Sequence, residues 1–156
     1  MVFLQYNIVA VVKSKKGANM TKQEIIDFIN KNQVCALATT DGLRPYLRQM
    51  MTFRADNDGI IFHTGDFKDV YKQLLSNPNV ELCFNADNMQ LRVSGTAVLL
   101  DDIILKDEII VKRKFLNSII EKYGYESIKV FRVRTMSATV WTMATNLSGK
   151  TYIDLN

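Results

Sequence analysis

The spacing of apolar positions along this chain changes several times, and each change marks an element. Thr21-Lys22-Gln23-Glu24 is a capping box ahead of Ile25, Ile26, Phe28 and Ile29, which predicts a first helix running to about Asn30. Val34 to Thr40 then reads as a short strand, Asp41-Gly42 as a hairpin turn, and Pro45 to Arg54 as the returning strand. Asp56-Asn57-Asp58-Gly59 is the next turn, followed by a strand from Ile60 to His63. After it Phe67, Val70, Tyr71 and Leu74 recur at helical spacing. Asn77-Pro78 ends that helix.

Beyond it the period returns to two. Val80, Leu82 and Phe84 alternate with Glu81 and Cys83, Asn85 to Asn88 form a turn, and Met89 to Leu100 make a long strand. Asp101-Asp102 caps a third helix expected to reach about Tyr123, with Gly124 as its stop. Ile128 to Met143 is β-rich, and Thr151 to Leu155 offers a last strand. Six or seven strands joined mostly by hairpins, with few helical crossovers, define a mainly β chain. The expected architecture is an antiparallel barrel with peripheral helices.

Composition narrows the class. At 156 residues, 47% hydrophobic and 23% charged, the chain suits one domain with a core of its own, placed at residues 20–156. Residues 1–19 are either a translated leader ahead of a start at Met20 or an N-terminal strand from Phe3 to Val12. Gln5, Tyr6 and Asn7 interrupt the opening apolar run and no basic residue precedes it, which argues against a secretory signal. No apolar run is long enough for a membrane helix. Cys35 and Cys83 each sit in an apolar strand-like run and read as reduced thiols, which together with the missing signal points to the cytoplasm. The net charge of +4 owes three positives to Lys13, Lys15 and Lys16; from Met20 onward 17 basic residues face 16 acidic ones. So balanced a body, with Arg44, Arg54, Arg92, Arg132 and Arg134 dispersed, speaks against a nucleic-acid partner.

The chemistry gathers between Asp41 and Phe84. Period-two alternation sets Tyr46, Arg48 and Met50 on one strand face, with Leu47, Met51 and Phe53 on the other. A guanidinium among apolar neighbours has to meet an anion, an internal carboxylate or solvent. Thr64-Gly65-Asp66 precedes a helix expected to start near Phe67, where free N–H groups and the helix dipole favour an anion, and Asp66 is a candidate N-cap. Lys68 in the first turn opposes the dipole unless it points away or something negative binds. Arg48, Thr64 and Lys68 together supply a fork, a hydroxyl and a point charge suited to a terminal phosphate. Neither a Walker loop nor a dinucleotide fingerprint occurs.

These residues follow an order, Gly42-x-Arg44-Pro45-x-x-Arg48-Gln49-Met50, Phe62-His63-Thr64 with Lys68 four residues on, Leu74-x-x-Asn77-Pro78-x-Val80 and Gln90-Leu91-Arg92-Val93-Ser94-Gly95. That order resembles the pyridoxamine 5'-phosphate oxidase-like FMN-binding proteins over about residues 21–143. The resemblance implies a split β-barrel that forms a homodimer and holds FMN at the interface. It implies that Arg48 and Lys68 bind the phosphate, that Thr64 adds its hydroxyl, and that Gln49, Met50, Phe62 and His63 line the flavin partly through main chain. Gln90 would reach the flavin from the other subunit, and Trp141 either covers the cofactor or belongs to the core. Two departures weigh against the namesake reaction. Asp66-Phe67 stands where that oxidase carries a serine-arginine pair, and the chain closes on Thr151 to Asn156 without its arginine-containing tail.

The resemblance therefore implies a flavoprotein, either an FMN-dependent oxidoreductase using a small molecule and NAD(P)H, or a flavin carrier or redox sensor. Deazaflavin and haem are the competing cofactors. His63, the only histidine, reads either as a general acid near the flavin or as a packing residue, so no catalytic residue is assigned and no metal site is expected.

Overall fold

The computed structural model describes residues 20–156, so both readings of residues 1–19 lie outside the described part. The capping box forms as expected: Thr21 Oγ1 accepts from the Glu24 N–H while the Glu24 carboxylate accepts from the Thr21 N–H. It opens α1 (Lys22–Lys31), whose buried face is Ile25, Ile26, Phe28 and Ile29. The strands β1 (Val34–Thr40), β2 (Pro45–Asp56) and β3 (Gly59–Gly65) follow as two hairpins, then α2 (Asp69–Ser76), β4 (Asn79–Ala86) and β5 (Met89–Leu100). Helices α3 (Ile103–Lys112) and α4 (Leu116–Tyr123) lead to the fifteen-residue β6 (Ile128–Thr142) and a short β7 (Ile153–Asp154).

All pairings are antiparallel, in the order β3-β2-β1-β4-β5-β6-β7, and β3 also pairs with β6. Strands β1 to β6 thus close into a six-stranded barrel with the helices outside the ladder, the architecture expected from the hairpin pattern. β6 is long enough to serve twice: its first half carries β3 through Ile60↔Val133 to Gly65↔Ile128, and its second half carries β7 through Ala138↔Ile153. Gly59 makes this closure possible. Its φ is +136°, and a Cβ there would run into the Val133 carbonyl.

The barrel interior holds Leu37, Phe62, Leu82, Phe84, Leu91 and Phe131, joined from the ends by Ile25 and Ile29 of α1 and Val70 and Leu74 of α2. Phe62 and Phe131 stack at 5.5 Å, and full burial of such a ring contributes about 2–3 kcal/mol. A second cluster lies on the outer face of β3 and β6, where Ile61, Ile128 and Val130 meet Phe53, Leu105, Ile109 and Leu116.

Two local expectations are corrected. The helix after β3 starts at Asp69 rather than near Phe67, and Lys68 takes the N-cap position without a side-chain cap. The Phe67 ring sits against Gly65 and stacks on Tyr123 at 4.0 Å, which holds residues 65–68 in a turn. Asp66, freed from capping, faces Lys129 at 3.9 Å. The third helix is two, because the chain breaks at Arg113, whose side chain folds inward to the Thr52 carbonyl. Phe53 keeps to the outer face with Leu47 and Met51, as simple alternation predicts. There α3 and its neighbours cover it in the second cluster while Leu47 and Met51 stay exposed, and a bulge between Thr52 and Arg54 resets the register beyond it, so that Ala55 faces the core.

Candidate functional site

The β2–β3 ladder ends at Thr52↔Phe62. Before that point β2 pairs only with β1, from Pro45↔Thr40 to Met51↔Val34, and beyond it His63, Thr64 and Gly65 pair only with β6. The barrel wall is therefore split, and α2 lies across the split in contact with both β1 and β3. The phosphate candidates border this opening.

Arg48 stands opposite Leu37 on the barrel side of β2. Its Nη1 donates to the Leu37 carbonyl at 3.2 Å and to Thr39 Oγ1 at 2.6 Å, and its Nη2 donates to Gln73 Oε1 at 2.7 Å. Thr39 Oγ1 donates to the same Gln73 oxygen at 2.7 Å, so the fork is clamped between β1 and α2. Every acceptor is neutral. Among the described residues the internal carboxylate that a buried arginine calls for is not there, and Arg48 makes no ion pair. Burial lowers its pKa below the ordinary arginine value, yet a guanidinium keeps its charge at neutral pH.

Thr64 also points to the barrel side, 4% exposed, and its hydroxyl is buried with no hydrogen-bond partner among the described residues. An unsatisfied buried hydroxyl costs about 1–3 kcal/mol, so the site holds an unmet demand next to an uncompensated cation. Lys68 is exposed at the rim, at the start of α2. This donor set of fork, hydroxyl and ammonium around an opening fits a phosphate monoester.

His63 points the other way, toward the second cluster, with its ring 6.2 Å from Phe115. Burial, with Arg113 and then Lys68 adding positive charge nearby, pushes its pKa down to about 4, so the ring is neutral at pH 7. Its Nε2 is buried and unpaired. The Phe62 side chain is fully buried in the barrel core, which leaves only its main chain for contact with a ligand. Met50 packs on the barrel core from Arg48's face, whereas Gln49 is exposed on the opposite face. Thr39, Gln73 and Arg113 are parts of the surroundings that the sequence did not single out. The Lys112-Arg113-Lys114 run was the one visible signal for the last.

Gln90 and Trp141 lie elsewhere. They face each other in the β5–β6 register, Gln90 Nε2 donating to Asn85 Oδ1 at 3.1 Å and Trp141 Nε1 to Asn146 Oδ1 at 3.0 Å. Trp141 is half-buried and outside both core clusters, beside a cavity of about 200 Å³ lined also by Arg92, Thr139 and Lys150. Thr64 pairs with Lys129 and Gln90 with Trp141, so twelve strand residues separate the two groups along β6.

Both cysteines are free, and burial pushes the Cys35 thiol up to about 12. Among the described residues no cluster of histidine, cysteine and acidic side chains is placed to hold a metal, and no helix is long and apolar enough to cross a membrane. Arg54 and Arg132 are taken up by Glu108 at 2.9 Å and Asp58 at 3.2 Å.

A closed six-stranded antiparallel barrel, split beside a helix and lined there with phosphate-suited donors, defines the class of protein. The chain belongs to the pyridoxamine 5'-phosphate oxidase family, whose sequence profile matches residues 21–144. General stress protein 26 of Bacillus subtilis (strain 168) is 30% identical over 95 residues, which cover 56% of this chain and 66%, just under two thirds, of that protein. A NimC/NimA family protein from Clostridium acetobutylicum shares the fold with a TM-score of 0.68 at 17% identity, over 90% of this chain and 98% of that one. So does the haem storage protein HutZ of Vibrio cholerae, with a TM-score of 0.55 at 18% identity, over 72% of this chain and 87% of its own.

Proposed function

We propose that this protein is an FMN-binding flavoprotein, with the flavin phosphate held at the split between β2 and β3. One observation carries the reading: the Arg48 guanidinium has only neutral acceptors, and the Thr64 hydroxyl beside the same opening has none. Arg48, Thr64 and Lys68 hold the phosphate, while main-chain groups from Gln49, Met50, Phe62 and His63 border the ring. Gln90 and Trp141, which face each other on β5 and β6 away from the split, reach that flavin from a second copy, as the family resemblance implies, and the working unit is then a homodimer. Bound FMN supplies two-electron chemistry, and the chain supplies orientation, the phosphate anchor and exclusion of water.

The activity we infer is oxidoreduction of a small molecule with NAD(P)H as donor, rather than oxidation of pyridoxamine phosphate. Asp66 is engaged with Lys129 and Phe67 with Tyr123, so the segment before Lys68 offers no second basic group to an anion. A flavin carrier or sensor is the second reading, favoured by a His63 that holds no exchangeable charge at pH 7. Titration with FMN and with riboflavin, followed by flavin fluorescence, tests the anchor: FMN binds and riboflavin binds at least tenfold more weakly. Equal affinities refute it. Rapid mixing of the loaded protein with NADPH or NADH bleaches the flavin if it is a reductase, and leaves it oxidised if it is a carrier.

A further inference from the structure

On the outer face of the β5–β6 ladder an arginine stands without a partner. Arg92 lies opposite Cys83 on one side and Thr139 on the other, and the chain returns over this face before β7 pairs with β6 at Ala138↔Ile153. Between strand and returning loop lies the cavity of about 200 Å³, bordered by Arg92, Thr139, Trp141, Asn146 and Lys150. A smaller one of about 70 Å³ shares Arg92, Thr139 and Lys150 with it. The Arg92 side chain makes no hydrogen bond and no ion pair among the described residues, and its Nε–H is buried. An N–H kept from water and left without an acceptor is a cost that a bound acceptor removes. Lys150 is exposed and likewise unpaired among the described residues. Glu81, the carboxylate on the smaller cavity, accepts from Ser94 Oγ at 3.4 Å and forms an ion pair with neither cation. Two cations against one carboxylate leave an excess of a single positive charge, which suits a monoanion better than a dianion. A guanidinium presents its Nε–H and an Nη–H side by side, the spacing of the two oxygens of a carboxylate. Trp141 gives the cavity an aromatic wall, held in place by the bond from its Nε1 to Asn146 Oδ1 at 3.0 Å. The volume is below that of drug-sized sites and leaves room for about one ring.

We propose that this cavity binds a small aromatic carboxylate, its carboxylate on the Arg92 fork with Lys150 beside it and its ring against Trp141. The cavity is formed within one chain and needs no cofactor. Its use rests on the flavin reading, in which Trp141 also reaches the flavin of a second copy. The bound acid then lies beside that flavin, which makes the small-molecule substrate an aromatic monocarboxylate.

Trp141 is the only tryptophan, so its fluorescence in the flavin-free full chain reads the cavity directly. Benzoate, benzyl alcohol and inorganic phosphate are titrated into wild type, Arg92→Gln, Arg92→Lys and Lys150→Gln. Wild type responds saturably to benzoate and more weakly to the other two. Arg92→Gln loses roughly tenfold or more in benzoate affinity, and Arg92→Lys recovers part of it. No saturable benzoate response in wild type, an equal affinity in Arg92→Gln, or benzyl alcohol or phosphate binding as tightly as benzoate overturns the proposal. Replacing Arg92 breaks no hydrogen bond of the described chain, so the variant should fold. Should it not, the exposed Lys150→Gln variant carries the same comparison: a weaker benzoate response supports the site and an equal one overturns it. In FMN-loaded protein benzoate shifts the flavin absorption bands; benzoate bound with those bands unmoved overturns the substrate role. Flavin uptake with no benzoate response defeats this proposal and leaves the flavin reading standing. A benzoate response in a chain that takes up no flavin does the reverse.

Discussion

Replacing Arg48 by methionine separates a binding arginine from a structural one. In the flavin-free protein the change removes three hydrogen bonds, to the Leu37 carbonyl, Thr39 Oγ1 and Gln73 Oε1. Each contributes about 0.5–1.5 kcal/mol net. It also removes a cation that is partly desolvated with no carboxylate beside it, a cost of up to several kcal/mol, and keeps most of the side-chain volume. Thr39 retains its bond to Gln73. The two contributions nearly cancel, so stability should change by no more than about 1 kcal/mol. FMN affinity should fall by about 1.5–3 kcal/mol, the range for charge-assisted bonds, or roughly ten- to a hundred-and-fifty-fold. Chemical denaturation gives the first number and flavin fluorescence titration the second. A variant that unfolds easily but, where folded, binds FMN as wild type does would refute the reasoning and make Arg48 a latch between β1 and α2.

Further outcomes follow from the same geometry. His63 takes a proton near pH 6.5 when unfolded but only near pH 4 in the fold, so the unfolded chain holds more protons between these values. Stability in phosphate-free buffer is therefore full above about pH 6.5 and falls by up to about 3 kcal/mol as pH drops to 4; His63→Gln should flatten that slope in denaturant melts. Gly59→Ala forces a Cβ against the Val133 carbonyl at a φ of +136° and should cost about 1–3 kcal/mol in thermal unfolding; an unchanged midpoint would mean the β3–β6 closure is looser than described. A thiol reagent should modify half-buried Cys83 in the native protein and reach Cys35, with its pKa near 12, only on unfolding.

Much of this was legible in the sequence. The Thr21–Glu24 capping box, the Asp41-Gly42 turn and the two-residue period from Val80 to Phe84 are local signals, and each element they mark is present. What escaped was set by distant contacts. Phe67 cannot open the second helix because its ring is held by Tyr123, fifty-six residues away, and the third helix breaks because Arg113 turns in toward Thr52. The bulge between Thr52 and Arg54 likewise depends on pairing with β3. Site residues divide the same way. Arg48 and Thr64 are conspicuous as polar side chains in apolar strands, whereas Thr39, Gln73 and Arg113 gain their meaning only from what the fold sets beside them.

The visible spectrum of the purified protein, with mass spectrometry of whatever heat releases from it, is the sharpest test of the cofactor. The expected result is a yellow protein that yields FMN in the supernatant, or a colourless one that turns yellow with added FMN and not with riboflavin. A bound tetrapyrrole, or a folded chain that takes up no flavin at all, would contradict it.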